Sequence, residues 1–280
     1  MKETNHRDMA WDDASGVMLC RRDSGHGGRA IVLVHELGGS LDSWDKVANP
    51  LESQWRVLRY DQRGHGLAEK PRTPCTLDDQ ARDLGAVLAA AGVPLPCLLV
   101  GAAAGAAIVV SYALRHPDRV AGLVLCPPAL GADPQRRAYL DERSRMAVDQ
   151  GMRAVADASL ANSYPPGIRR DAAAFDAYRA RFLGCDPVGY AHANQALAHA
   201  ELDGRLADLR CPVLVVAGRH DVLRPPAYAR RIADAIPGAR YTEIDSGHLM
   251  AVQAPTALAQ AIAAHGATLS WGDEQCNNKA

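Results

Sequence analysis

Gly101-Ala102-Ala103-Ala104-Gly105 has the G-x-S-x-G frame of a nucleophile elbow, with Ala103 where a serine would stand. Such an elbow is a strained strand-to-helix turn that lifts one side chain above the end of a sheet. Its glycines answer the crowding of the backbone at that turn. The flanks agree: Pro96 to Val100 reads as a short buried strand, and Ala106 to His116 as a helix closed by Pro117. A methyl group attacks nothing, so other residues must carry any chemistry.

Three further segments supply candidates. Val34-His35-Glu36-Leu37-Gly38-Gly39-Ser40 follows a buried apolar run, where such a loop provides one backbone N–H of an oxyanion hole. We expect that donor at Leu37 and the second at Ala104, directly after the elbow residue; the alternative is a plain glycine turn. Gly218-Arg219-His220-Asp221 leaves another apolar run. A carboxylate at the C-terminal end of a parallel strand points to where ligands bind. Asp221 is therefore the candidate acid that orients an imidazole, the alternative being a cap for the helix after Pro225-Pro226. Asp245-Ser246-Gly247-His248 places His248 last in the chain order elbow, acid, histidine, which makes it the candidate general base. In Tyr60-Asp61-Gln62-Arg63-Gly64-His65-Gly66 the Asp and Arg are expected to hold the loop through charge-assisted hydrogen bonds. His65 and His220 read as loop residues.

The elements that must position these groups alternate. Met9 to Arg22 reads as a strand or hairpin turned at Ala14-Ser15-Gly16. Strands are expected at Ala30–Val34, Trp55–Tyr60, Ala121–Cys126, Pro212–Ala217 and Arg240–Ile244. Thr76 to Ala91 has helical spacing of Leu77, Leu84, Val87 and Leu88. A last helix covers Pro255 to Ala264, and the polar tail from Ser270 is expected to fray. Short buried strands alternating with helices imply an α/β fold with a mainly parallel sheet. Helical patterns broken by Pro165-Pro166 and Pro187 fill the stretch between two strands. They predict a cap at 134–200 inserted into a core of 1–133 and 201–280.

The composition narrows the class. With 280 residues, 48% hydrophobic and 22% charged, the chain has length for one large core. A net charge of −1 offers no electrostatic reason to bind nucleic acid or an anionic membrane. Neither a signal peptide nor a spanning apolar run is visible. Seven scattered cysteines lack any ligand spacing, so neither disulfides nor a metal site are expected, and a reducing cytoplasm is the default. A monomer or homodimer is expected.

These four motifs together resemble the α/β-hydrolase fold superfamily, over about Met9 to Ala264. The cap stretch Gly151 to Asp157, the Asp186-Pro187 to Tyr190 segment and the ending Gly247-His248-Leu249-Met250 resemble enol-lactonases that act on 3-oxoadipate derivatives. The resemblance implies a hydrolase for a small enol-lactone, ester or amide-like substrate, working without a cofactor beneath a helical cap. Two positions depart from the pattern: Ala103 replaces serine, and Glu36 replaces the glycine that commonly follows the loop histidine. A carboxylate beside an oxyanion hole opposes developing negative charge. Glu36 must therefore point away, stay protonated, or serve a different chemistry.

Three explanations of Ala103 stand open. One is a deliberate Ser→Ala change that permits binding without turnover. Another is a serine-independent enzyme in which His248, oriented by Asp221, activates water or takes a substrate proton with Glu36 as partner. The third is a catalytically silent small-molecule binding protein. A lyase or cofactor-free oxygenase on the same fold is a further alternative. Expected substrate contacts are His35, Cys126 at the end of its strand, and Tyr190 in the cap. Arg143, Arg153 and Arg181 could bind a carboxylate, and Asn194 and Gln195 are possible polar contacts.

Overall fold

The structure, a computed structural model, describes residues 9–14, 16–24 and 27–272. Its centre is an eight-stranded sheet in the order β1-β2-β4-β3-β5-β6-β7-β8. Strands β1 (Met9–Asp13) and β2 (Met18–Asp23) form the expected hairpin, and β2 pairs antiparallel with β4 (Arg56–Tyr60). Ser15 of that turn lies outside the described residues. All remaining pairings are parallel, through β3 (Ala30–Val34), β5 (Cys97–Ala103), β6 (Val120–Pro128), β7 (Val213–Gly218) and β8 (Arg240–Ile244).

The continuous apolar runs follow from this arrangement, because helices cover both faces of a parallel sheet. Every residue of β3, β5, β6 and β7 is buried. Alternate residues serve opposite faces. Ala30, Val32 and Val34 pack with helices α2 (Leu77–Ala90), α3 (Ala104–Arg115) and α8 (Pro226–Asp234). Ile31 and Leu33 face α1 (Asp45–Leu51), α9 (Met250–Gln253) and α10 (Pro255–Gly266). The turn Leu41–Trp44 and α1 were not expected from the sequence; the short segment is held by an N-cap at Ser40 and by buried Trp44. Helix α2 starts where expected because Thr76 and Asp79 form a reciprocal capping box.

Four helices lie between β6 and β7: α4 (Pro134–Gln150), α5 (Met152–Ser163), α6 (Ala172–Leu183) and α7 (Pro187–Ala198). Pro187 stands at the first turn of α7, where its missing N–H costs nothing, and Asp186 caps the helix by accepting from Gly189 N. These helices bury a cluster of their own around Tyr164, Tyr178, Phe182 and Tyr190. Leu249 of the core joins that cluster. The frayed tail expected from Ser270 is corrected at its start. Trp271 is buried, packs against the α1–α10 face, and donates its indole N–H to Gly266 O at 3.1 Å. Residues 273–280 lie outside the described residues. Among the described residues no helix is long and apolar enough to cross a membrane.

Candidate functional site

The elbow stands at the junction of β5 and α3. Ala103 has φ 49° and ψ −109°, and is the one non-glycine residue with positive φ among the described residues. The neighbouring glycines are required by contact. A Cβ on Gly101 would lie 2.5 Å from Gly105 O, and one on Gly105 would lie 2.3 Å from Val34 O. Helix α3 therefore starts almost against the end of β3. Ala104 opens this helix, and first-turn N–H groups have no acceptor within their own helix. A similar approach joins the other two loops, since a Cβ on Gly218 would lie 2.4 Å from Gly247 O.

That approach brings Asp221 and His248 together. His248 Nδ1 donates to Asp221 Oδ2 at 2.8 Å, and the carboxylate is buried. Asp221 Oδ1 accepts from Leu223 N and Arg224 N at 2.8 and 2.9 Å. The two sequence readings of Asp221 are thus compatible, because one oxygen caps its own turn and the other holds the imidazole. A histidine donating through Nδ1 presents Nε2 as an acceptor. His248 lines a cavity of about 90 Å³ together with Ala103, Ala104, Leu37 and Glu36.

Glu36 does not turn to solvent; it is 5% exposed. Its Oε1 accepts from Ser43 Oγ at 2.8 Å and from Tyr178 Oη of α6 at 2.9 Å. A Cβ on Gly39 would overlap that same oxygen, so the glycine makes room for the carboxylate. Burial first, and then the Glu36 charge, push the Tyr178 phenol well above its ordinary range. Tyr178 therefore remains a neutral donor.

Two buried histidines shape the loop that carries Leu37. His35 Nδ1 donates to Glu36 O at 2.7 Å and its Nε2 accepts from Gln62 N at 3.1 Å. His65 Nε2 accepts from Gly38 N at 3.4 Å and its Nδ1 donates to Arg63 O at 3.1 Å. Burial lowers both histidines from 6.5 to about 4. They are thereby kept neutral, as their acceptor roles demand.

Several expected roles change. His35 is not a substrate contact, because it is fully buried with both ring nitrogens engaged in the backbone. Cys126 is fully buried with its thiol on Gly101 O, and burial followed by the Glu36 charge pushes that thiol far up, so it is a packing residue. Asp61 and Arg63 hold their loop, but not as a pair. Asp61 accepts from Leu41 N and Leu67 N, and Arg63 reaches Asp83 of α2 with two hydrogen bonds of 2.6 Å. Tyr190, Arg143 and Asn194 line the cavity, whereas Arg153, Arg181 and Gln195 do not. Sequence reading missed Arg136, Arg224 and the Ser43 contact. Arg224 was within reach, since it follows Asp221 by three residues in the turn that Asp221 caps.

The sequence matches the family described as the α/β hydrolase fold over residues 29–255. It is 33% identical over 236 residues to "Putative carbamate hydrolase RutD" of Caulobacter segnis, covering 81% of this chain and 88% of that one. An enol-lactonase from Burkholderia xenovorans LB400 superposes with a TM-score of 0.86 at 30% identity, over 91% of this chain and 99% of that one. A thermophilic esterase from Thermogutta terrifontis superposes equally well, with a TM-score of 0.86 at 25% identity over 92% and 97% of the two chains.

Proposed function

Because this chain belongs to the α/β-hydrolase fold family, we propose that it hydrolyses small carbonyl compounds with water in place of a serine nucleophile. The observation that carries the reading is the 2.8 Å contact of His248 with Asp221, in a cavity shared with Ala103 and Glu36. The substrate class comes from the relatives, whose names specify a carbamate hydrolase, an enol-lactonase and an esterase.

In this scheme His248 Nε2 takes a proton from water as the water oxygen bonds to the substrate carbonyl carbon. The carbonyl π electrons move to oxygen, which receives the N–H groups of Leu37 and Ala104. Asp221 stabilises the imidazolium that forms. Collapse of the adduct breaks the bond to the leaving group, which takes the proton from His248. The methyl of Ala103 leaves space where a serine hydroxyl would lie. Glu36 is the second acid/base group of the site, with Tyr178 and Ser43 drawing charge from Oε1. The cap at 134–200 covers the cavity, and the scheme calls for no cofactor. A cytoplasmic location belongs to the same reading.

The test compares this protein with A103S, H248A and E36Q on lactones, esters and carbamates in ¹⁸O-labelled water. We expect turnover by the protein as it stands, one labelled oxygen in the released acid, and losses of about 100-fold or more in H248A and E36Q. A silent protein that A103S brings to life through His248 would overturn the water mechanism and restore ordinary serine hydrolysis. Turnover without label would favour lyase or oxygenase chemistry. Binding without turnover in every form would leave a binding protein.

A further inference from the structure

Three guanidinium groups meet at the cavity, and none has an acidic partner among the described residues. Arg136 and Arg143 reach it from α4, and Arg224 from the turn capped by Asp221. Arg169 and Arg181, which do not line the cavity, also lack an acidic partner among the described residues, whereas Arg63 is matched with Asp83 and Arg56 with Asp23. Among the described residues Arg143 instead bonds only the hydroxyls of Tyr190, Tyr139 and Ser159. Arg224 donates to Leu223 O, and the Nε atoms of Arg136 and Arg224 are buried without an acceptor among the described residues. Burial first, then repulsion from Arg224 and Arg143, weakens the charged form of Arg136. Stacking on tyrosine rings holds all three in place, Arg136 over Tyr139 at 4.9 Å, Arg143 over Tyr190 at 5.6 Å and Arg224 over Tyr228 at 5.0 Å.

Gathering three like charges where water is scarce is unfavourable unless an anion completes the set. The position says where such an anion sits. Arg136 and Arg224 line the cavity with His248 and also line a separate outer cleft of about 830 Å³. They are therefore the wall between the two. Deeper in, Asn194 is fully buried. Its Nδ2 donates to Leu140 O and Ser144 Oγ at 2.8 and 3.0 Å, which fixes the amide orientation. Among the described residues no donor reaches its Oδ1. An orphan buried acceptor beside the cavity calls for a donor from the ligand.

We infer that Arg136, Arg143 and Arg224 form a carboxylate subsite at the throat of the cavity. The substrate is then a small carbonyl compound with a carboxylate remote from the scissile bond and an N–H or O–H facing Asn194 Oδ1. This rests on the hydrolase reading above. Carboxylate is favoured over phosphate because a planar guanidinium fork matches its two oxygens.

The test is calorimetric titration with succinate, with succinamide as its uncharged counterpart of equal size, and with inorganic phosphate. No turnover is needed for this readout. We expect succinate to bind at least about 10-fold more tightly than succinamide, and R136Q and R224Q each to remove about 10-fold or more of that affinity. R153Q, at an exposed cap position away from the cavity, should bind as the parent does. Equal binding of succinate and succinamide, or no saturable binding of either, overturns the subsite without recourse to any variant. Affinity unchanged in R136Q and R224Q overturns the assignment of residues, and tighter binding of phosphate overturns the carboxylate. Succinate binding with no hydrolysis of any substrate would sink the hydrolase reading alone. Equal kcat/KM for neutral and carboxylated esters would sink the subsite alone.

Discussion

Tyr178 Oη donates to Glu36 Oε1 across 2.9 Å, tying helix α6 to the loop that follows β3. The bond joins residues 142 positions apart in sequence, and both partners are buried. It holds a carboxylate beside the elbow in one orientation. Y178F keeps the ring and removes the donor. We expect a loss of stability of about 1–3 kcal/mol, together with a changed pH profile of turnover if Glu36 is an acid/base group. Urea melts and a kcat/KM profile would check this. A stability loss with an unmoved profile would leave Tyr178 as packing alone.

Asp221 holds the Nδ1–H tautomer of His248, and D221N reverses the sense of that bond. The amide introduced there would offer an N–H toward Nδ1, which puts the proton on Nε2 and removes the base. We expect kcat to fall by about 10⁴, with KM little changed. Steady-state kinetics decide it; a fall below about 10-fold would mean that Asp221 serves only its own turn.

The buried histidines set an acid limit. His35 and His65 titrate near 6.5 when unfolded and at about 4 when folded, lowered chiefly by burial. Between those values the unfolded chain binds more protons, so stability is complete above pH 6.5 and declines as the pH falls toward 4. Each shift corresponds to about 3 kcal/mol once the window is crossed. Protonating Nε2 of either ring also abolishes its acceptance of Gln62 N or Gly38 N. Denaturation midpoints measured from about pH 7.5 to 4.5 should fall steadily; a flat response would contradict neutral buried imidazoles.

Backbone strain at the elbow predicts opposite signs for two small substitutions. Ala103 has φ 49°, which glycine adopts freely, so A103G should stabilise the fold by about 1 kcal/mol after the entropy of glycine is counted. G105A instead places a methyl 2.3 Å from Val34 O, a backbone atom that cannot step aside. It should cost about 3 kcal/mol or fail to fold. Chemical denaturation of both variants is the check, and a destabilised A103G would refute the strain.

The sequence by itself determined the sheet, the elbow frame and the chain order of Ala103, Asp221 and His248. Continuous β-branched runs suit strands covered on both faces, and glycines mark turns that admit no Cβ, so these features are local. What the tertiary structure alone decided is which groups meet in space. Nothing in the spacing of Glu36, Ser43 and Tyr178 announces their bonds. Arg63 passes over nearby Asp61 for Asp83 because a loop's hydrogen bonds follow packing, not proximity in sequence. His35, prominent in the motif, is a buried strut, whereas Arg136 and Arg224 share a cavity wall although 88 positions separate them. Side chains on separate helices and loops converge only once the core has set the distances between those elements. That convergence is a property of the folded chain that no local pattern carries.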